Sequence, residues 1–447
     1  METFPGILRG LIGIAGLTGL CWLLSRNRRA VDWRLVGSGL GFQLFLAALI
    51  LKVPHAEKPV EWISSFFVTL LNFTDAGTRF VFGFLGAGPD FWEKVNEGIG
   101  ISGFSGFGLV FAFKVLPTVI FFSALTSVLY YLGILQVAVK GFAWLLQKSM
   151  RLSGTESLAA AANVFIGQTE APLMVKPYIA DMNHSELMCL MTGGMATIAG
   201  GVFGAYVWIL GGSDPALQAM YAKHLLTASL LSAPAAIVAA KILLPQTETV
   251  DHELRVNKEK LGENVFDAAC QGTTQGMMLA LNIGAMLITF LAFIALLNYL
   301  AGALGSVTGL DGLIADWTGG AYDSLSLEFI AGILFSPIAW LIGINPGDLL
   351  AMGQLLGVKL VANEFVAYEQ LGQMLHTEGM LSPRSVIIAT YALCGFANFS
   401  SMGIQIGGIA VLAPSQRGNL SRLALLSVAG GTAACLYTAA VAGMFVA

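Results

Sequence analysis

Apolar runs of about 20 residues recur along the chain, and they restrict its possible folds more than any other feature. As a helix, each run is long enough to cross a hydrocarbon core of about 30 Å. Only 11% of the 447 residues are charged, against about 25% in a typical soluble domain. The runs are continuous rather than alternating, which argues against strands of a membrane barrel. The sequence therefore predicts an all-α polytopic membrane protein.

Basic residues lie in the connections between the apolar runs and indicate how the chain is oriented. The most basic connection separates the first two runs and carries Arg26, Arg28, Arg29 and Arg34. Loops rich in Lys and Arg face the cytoplasm, so this turn is expected inside and the N-terminus outside. With about eight spans, both termini are predicted to be periplasmic. The net charge of −4 is small and the basic residues form no patch, so no nucleic-acid partner is expected.

Two polar stretches interrupt the apolar pattern where the flanking arms are short. The first, AANVFIGQTEA at 161–171, places Glu170 between arms of about 10 residues, too short to cross a bilayer. The second, VANEFVAY at 361–368, places Glu364 in a similar setting. Irregular backbone at membrane depth persists only where protein or a watery cavity surrounds it. We therefore predict two re-entrant helical hairpins rather than four further spans.

The second half of the chain repeats the plan of the first half. Each hairpin is followed by a span that is broken at a glycine-bearing polar cluster, at 197–201 and at 395–401. With one hairpin entered from the inside and the other from the outside, the halves form an inverted repeat, the architecture of secondary transporters. The predicted divisions are an N-terminal scaffold at 1–104, a first repeat at 105–244, a charged cytoplasmic linker at 245–264 and a second repeat at 265–447, which opens with a span at about 272–300.

The polar side chains at the predicted midplane limit what such a site can bind. A carboxylate at membrane depth costs about 2.5–3.5 kcal/mol on insertion scales, so it is seldom kept there without a partner or a function. Lys176 and Lys359 are the candidate partners that would make Glu170 and Glu364 structural. Without such partners, carboxylates, amides and hydroxyls suit a neutral, hydroxyl-rich solute, and Phe396 offers a wall for a flat ring. A molecule that combines a sugar with a base satisfies both requirements.

The polar residues near the first break also suit a small cation. A break beside Asn163 and Thr197 would leave backbone carbonyl oxygens free, and carbonyl, hydroxyl and amide oxygens are hard ligands suited to Na⁺. Proton coupling through a glutamate is the alternative, and the residues by themselves leave both open.

Two other classes of function compete with a carrier of neutral solutes. An intramembrane enzyme could use Glu170 and Glu364 as an acid and base pair. It would need a nucleophile or a metal, yet the five histidines fall near segment ends or in loops, and no Ser/His or metal-spaced cluster appears. A carrier of carboxylates would need a buried arginine near the hairpins, and neither stretch has one.

Long strings around the hairpins and breaks carry a resemblance to a known family. They are FKVLPTVIFFSAL at 113–125, GQTEAPL at 167–173, SELMCLMTGGMATIAGGV at 185–202, VANEFVAY at 361–368 and CGFANFSSMGI at 394–404. In these strings the chain resembles the concentrative nucleoside transporters, particularly the bacterial sodium-coupled members. The resemblance spans essentially the whole chain. It implies a homotrimer in a bacterial inner membrane, with eight spans, two hairpins and interfacial helices in each protomer and a transport domain that moves against a scaffold.

The resemblance also implies roles for individual residues. It places polar nucleobase contacts at Gln168, Thr169 and Glu170, and apolar ones at Val202 and Phe396. It places ribose contacts at Glu364, Asn398 and Ser401, and a sodium site at Asn163, Ile166, Thr197 and Ile198. The implied function is import of nucleosides such as uridine, cytidine or adenosine by sodium symport through alternating access, with no enzymatic step.

Overall fold

A computed structural model of the chain describes residues 3–53, 58–86, 111–212, 214–253, 262–318, 320, 322–375 and 380–446. Every regular element in these ranges is helical. Seven helical stretches are long and apolar enough to cross a membrane: Gly6–Leu23, Trp33–Lys52, Phe111–Tyr131, His184–Gly211, Pro215–Leu243, Val265–Thr308 and Pro414–Phe445. An eighth is made of two short helices, Pro383–Leu393 and Phe399–Leu412, on either side of a break. The prediction of an all-α membrane fold with about eight spans is confirmed.

The N-terminal third supplies the outer helices. Asp32 begins the second span, since its carboxylate accepts hydrogen bonds from the N–H groups of Arg34 and Leu35 at 2.9 and 3.3 Å. The boundary predicted at residue 104 lies outside the described residues. The helices here are Thr3–Leu23, Trp33–Lys52, Lys58–Phe82, Phe111–Lys114, Leu116–Tyr131 and Ile134–Met150, with short 3-10 turns at Arg28–Ala30 and Gly83–Gly86.

The first hairpin begins at a capping box. Ser153 Oγ accepts from the N–H of Glu156 at 3.1 Å, and the Glu156 carboxylate accepts from the N–H of Ser153 at 3.3 Å. Pro172 and Pro177 lack the N–H that a continuous helix needs, so the return arm forms two single turns. The elements of this repeat are the hairpin (Gly154–Phe165, Ala171–Met174 and Lys176–Ile179), the first broken span (His184–Ala196 and Gly200–Gly211) and Pro215–Leu243.

The second repeat opens with a helix far longer than the span predicted at 272–300. It has 44 residues, which gives a length of about 66 Å at 1.5 Å per residue. Residues 254–261 of the charged linker before it lie outside the described ranges. The remaining elements are Leu310–Thr318, Leu327–Leu341, the 3-10 turn Pro346–Asp348, the second hairpin (Leu349–Val361 and Glu364–Leu375), the second broken span (Pro383–Leu393 and Phe399–Leu412), the turn Pro414–Gln416 and Arg417–Phe445.

Burial divides the spans into an interior and a periphery. In the apolar stretch of each span, 94% of the residues are buried by protein in His184–Gly211 and 89% in Pro215–Leu243, but only 17% in Val265–Thr308. Three spans, namely the first broken span, Pro215–Leu243 and Val265–Thr308, separate the two hairpins. An inverted repeat, in which the two hairpins enter from opposite faces, requires an odd number of crossings between them.

Candidate functional site

The tip of the first hairpin packs directly on the break in the first broken span. A Cβ built on Gly167 would lie 2.8 Å from the Ala199 Cβ, and one built on Gly200 would lie 3.0 Å from the carbonyl oxygen of Phe165. Neither position has room for a side chain without moving its neighbour. Glycines at 167 and 200 therefore allow the two interruptions of helical backbone to meet.

Glu364 lies at the tip of the second hairpin and is held by two donors from distant segments. Its side chain is 3% exposed. The Tyr206 hydroxyl donates to Oε1 at 3.1 Å, and the Asn398 Nδ2 donates to Oε2 at 2.8 Å. Both carboxylate oxygens are thus engaged but keep further lone pairs. This geometry stabilises an acceptor group deep in the protein.

A path of hydrogen bonds continues from Glu364 to the first hairpin. The Asn398 Oδ1 accepts from the N–H of Ser401 at 2.9 Å, which also caps the helix Phe399–Leu412. The Ser401 Oγ accepts from the Gln168 Nε2 at 3.4 Å. The predicted ribose residues Glu364, Asn398 and Ser401 and the predicted base residue Gln168 are therefore brought together from both halves of the chain.

Glu170 differs from Glu364 in having a local partner. Its Oε2 accepts from the N–H of Gly167 at 2.8 Å, within the same tip. Thr169 beside it is exposed, and its methyl group lies 3.8 Å from a Cβ built on Gly408. Among the described contacts, the Glu170 carboxylate is thus bonded only within its own tip, and Thr169 beside it is exposed.

Of the two lysines expected to compete for the glutamates, Lys359 has another acceptor. Lys359 is 3% exposed and donates its Nζ to the carbonyl oxygen of Ala392 at 2.9 Å. In the described part of the chain it lies beyond ion-pair distance of Glu364. Lys176 is exposed on the return arm of the first hairpin. The geometry does not make Glu364 one half of a structural ion pair.

The predicted ion ligands Asn163 and Thr197 meet around Gly193. A Cβ on Gly193 would lie 3.1 Å from the Asn163 Nδ2, and the Gly193 carbonyl accepts from the Thr197 Oγ1 at 2.9 Å. The Asn163 Nδ2 donates to Ala159, while its Oδ1 is buried without a partner among the described residues. A buried acceptor without a donor is costly, and a cation would satisfy it. The donor set here therefore fits a small hard cation.

The four remaining predicted residues are buried next to these polar groups along the chain. Ile166 and Ile198 are 1% and 2% exposed and flank the tip and the break. Val202 and Phe396 are 1% and 8% exposed and belong to the main apolar core. The structure thus places apolar surface beside both breaks.

Three residues were missed or misplaced by sequence reasoning. Tyr206, which bonds Glu364, and Gln405, which donates to the Gln168 Oε1 at 3.1 Å, both lie in apolar helices. A lone glutamine in an apolar membrane helix was a signal that could have found Gln405. His224 lies inside the helix Pro215–Leu243 rather than near its end, with Nδ1 3.1 Å from the Tyr391 hydroxyl.

Family models match the chain in three consecutive parts. The model of the Na⁺ dependent nucleoside transporter N-terminus matches residues 12–85, and that of its C-terminus matches 224–443. Between them, a model described as "Nucleoside recognition" matches 112–213, the region of the first hairpin and the first broken span. The matched regions together contain every predicted site residue.

Relatives and solved structures agree with these matches. An uncharacterized transporter of Haemophilus influenzae is 41% identical over 98% of both chains. Solute carrier family 28 member 3 of Rattus norvegicus is 38% identical over 97% of this chain, which spans 58% of that relative's length. The structure of CNTnw in an inward-facing substrate-bound state is 37% identical, with a TM-score of 0.86 over 98% of both chains. A CNTnw variant in an outward-facing state matches with a TM-score of 0.85 over 98% of this chain and 97% of that one.

Identity over nearly the whole length, the same fold and the three family models lead to one assignment. The chain belongs to the concentrative, Na⁺-dependent nucleoside transporter family, and it is a membrane transporter rather than an enzyme.

Proposed function

We propose that the protein imports nucleosides across a bacterial inner membrane by sodium symport. The observation that carries this proposal is the hydrogen-bonded path from Glu364 through Asn398 and Ser401 to Gln168. It joins the tips of two inverted hairpins at one buried place. A carrier needs such a place, because its ligand must contact both halves for their relative movement to carry it across.

The chemistry of this path supports a nucleoside as the solute. The Glu364 carboxylate is an acceptor that sugar hydroxyls can bind, with Asn398 and Ser401 beside it. The Gln168 amide, the exposed Thr169 and the partly buried Glu170 would contact the base. The buried Val202 and Phe396 would supply apolar contacts to the ring. Uridine, cytidine and adenosine are the substrates we expect.

Sodium is the proposed coupling ion. The unpaired Asn163 Oδ1 and the Thr197 hydroxyl lie close to the break, and the backbone carbonyls of Ile166 and Ile198 would complete the ligand set. A bound ion would hold the first hairpin against the break. It favours one conformation only through a difference in affinity between states, so it would bind best where the tip is ready for substrate.

Alternating access is the proposed transport mechanism. The similar CNTnw has been solved in inward-facing and outward-facing states. In the present chain the buried broken spans and hairpins would form the moving part, and the outer helices would form the scaffold. The predicted division at 105–244 and 265–447 remains a proposal for the extent of the two repeats.

A homotrimer is the proposed assembly. The helix Val265–Thr308 exposes large apolar side chains along its length, among them Phe266 (84%), Ile288 (75%) and Val307 (87%). Lipid or further copies of the chain would cover this surface in a membrane. Light scattering of the purified protein in detergent would distinguish three copies from one.

Uptake into proteoliposomes tests the proposed function. Labelled uridine should accumulate when an inward Na⁺ gradient is imposed, and accumulation should disappear when choline replaces Na⁺. Uptake that ignores Na⁺ but follows an inward proton gradient would transfer the coupling role to protons. Chromatography of the accumulated solute should return unchanged uridine, because a transporter makes no covalent change.

A further inference from the structure

Gln405 is a buried polar residue that the proposed function leaves without a role. It lies in the helix Phe399–Leu412 and is 1% exposed. Its Nε2 makes two hydrogen bonds, to the carbonyl oxygen of Met191 at 3.0 Å and to the Gln168 Oε1 at 3.1 Å. One amide group thus connects the second broken span with both the first broken span and the first hairpin.

The backbone partner fixes the direction of these hydrogen bonds. The carbonyl of Met191 can only accept, so Gln405 must turn its NH₂ group toward it. The same NH₂ group faces Gln168, which must therefore present its oxygen. Reversing the Gln405 amide would set its oxygen against two other oxygens. Its Oε1 stays buried without a partner among the described residues, which is the smaller cost.

This direction decides which half of the Gln168 amide is left for the site. With Oε1 engaged by Gln405, the Nε2 points to the other side, where it donates to the Ser401 Oγ at 3.4 Å. Ser401 lies on the path to Glu364, so the Gln168 Nε2 faces the proposed substrate position and keeps a second N–H beyond the bond to Ser401. There Gln168 offers a hydrogen-bond donor.

A glycine gives Gln405 access to Gln168. A Cβ built on Gly194 would lie 2.5 Å from the Gln405 Nε2 and 3.0 Å from the Gln168 Cβ. A side chain at 194 would occupy the space that the Gln405 amide fills. The contact between the two glutamines thus depends on three segments, and it is built into the packing of the interior.

We propose that Gln405 is a positioning residue for base selection: it fixes Gln168 with its donor toward the substrate, so that bases presenting an acceptor there are preferred. This inference rests on the proposed nucleoside transport. Uridine and cytidine are a matched pair of probes, since uracil carries an acceptor oxygen at position 4 where cytosine carries a donor NH₂. The orientation of Gln168 favours uridine.

The test compares uridine and cytidine binding by calorimetry in saturating Na⁺. Gln405→Met keeps the side-chain length but removes both hydrogen bonds and frees the Gln168 amide to turn over. The ratio of uridine affinity to cytidine affinity should fall by about tenfold, because Gln168 would no longer be held as a donor that favours uridine by about one hydrogen bond. Gln405→Asn, which is too short to reach both carbonyls, should give the same fall and serves if the Met variant does not fold.

Two further variants separate positioning from general damage. In a Gln168→Ala background, Gln405→Met should leave the ratio unchanged, because its effect passes through Gln168. Gln43 is a matched control: it is equally buried and donates its Nε2 to Leu231 O and Thr438 Oγ1, each at 3.2 Å, from the second span. Gln43→Met should lower thermal stability without moving the ratio.

The possible results distinguish the two proposals. If the wild-type protein binds neither nucleoside, the proposed function fails and this inference fails with it. If the wild type binds both but Gln405→Met and Gln405→Asn leave the ratio as it was, only the positioning role is overturned. The role is also overturned if the effects of Gln405→Met and Gln168→Ala on the ratio add in the double variant.

Discussion

The tips of the two hairpins carry the same residue type but hold it differently. Glu170 accepts a hydrogen bond from Gly167, three residues away in the same loop. Glu364 accepts from Tyr206 and Asn398, which lie 158 and 34 positions away in two other segments. The Glu170 carboxylate is therefore held within its own loop, whereas the Glu364 carboxylate is tied to other segments of the interior. If both glutamates contact the solute as proposed, the first gives an adaptable contact and the second a fixed one.

The bases of the hairpins also differ in how they are held. At the first, Glu156 pairs with the buried Lys241, which also donates to Ser185 at 2.9 Å. At the second, Asp348 accepts from the N–H and the hydroxyl of Ser382, at 3.1 and 2.6 Å. In both repeats this joins the start of the hairpin to the start of the next broken span. The first joint uses an ion pair, and the second uses neutral donors.

Together these contacts show that the two hairpins differ in how their bases and their tip glutamates are bonded. The first has a charged, buried base and a tip glutamate held within its own loop, and the second has a neutral joint at its base and a tip glutamate bonded to two distant segments. Breaking a buried ion pair leaves an unpaired charge, which costs more free energy than the loss of a neutral hydrogen-bond donor. We therefore expect substitutions at the bases to act on stability and substitutions at the tips to act on binding.

The largest effect is expected at the base of the first hairpin. Lys241→Met leaves Glu156 buried without its partner and should cost about 3–5 kcal/mol of unfolding free energy. Ser382→Ala at the other base should cost only about 1 kcal/mol, since the Asp348 carboxylate keeps the backbone donor. Thermal unfolding in detergent measures both. A double variant, Lys241→Met with Glu156→Gln, should recover much of the loss. Equal loss at the two bases would contradict the contrast between them.

The tips should differ next, in uridine binding. In Glu364→Gln the new NH₂ group either meets the Asn398 NH₂, which is also a donor, or makes the Tyr206 hydroxyl turn and accept, so the affinity for uridine should fall about 30-fold. In Glu170→Gln the affinity should fall only about fivefold, because the remaining amide oxygen can still accept from the N–H of Gly167. Calorimetric titration with uridine in Na⁺ gives both values. A larger loss at Glu170 would mean that the first tip is the fixed contact.

An effect much smaller than that of Glu364→Gln is expected from removing one donor to Glu364. Tyr206→Phe removes a single hydroxyl and should weaken uridine binding about fivefold, while keeping the ring stacked on Tyr368. Tyr368→Phe is the matched control, since its hydroxyl donates to the carbonyl of Thr390 at 2.7 Å rather than to Glu364. It should leave uridine affinity unchanged. Equal losses in the two variants would show that the Tyr206 hydroxyl has no special part in holding Glu364.

Much of the fold could be predicted because hydropathy and helix breaks depend on residues that are close together in the sequence. The short arms around Glu170 and Glu364 predicted the hairpins, and the glycine clusters predicted the broken spans. The long helix Val265–Thr308 was underestimated, since hydropathy marks only its apolar middle. Its start is set by Asn264, whose Oδ1 accepts from the N–H of Asp267 at 2.9 Å.

The partners of the site residues could not be predicted in the same way. Tyr206 and Gln405 lie in apolar helices, and a single polar group in such a helix does not indicate which residue it will bond. Asn398 could be placed in a polar cluster, but not assigned to Glu364 rather than to a neighbouring helix. The sequence also could not decide whether Lys359 pairs with Glu364; in the structure its ammonium group donates to the carbonyl oxygen of Ala392.

By itself the sequence determined that this chain spans a membrane as helices, where the helices break, and that acidic residues lie at two of the interruptions. These properties follow from the cost of leaving backbone or charge unsatisfied in lipid, which each segment meets alone. The tertiary structure decided which donor faces which acceptor, as between Gln405 and Gln168, 237 positions apart. Hydrogen bonds require atoms about 3 Å apart, and only the packed interior sets such distances between remote segments.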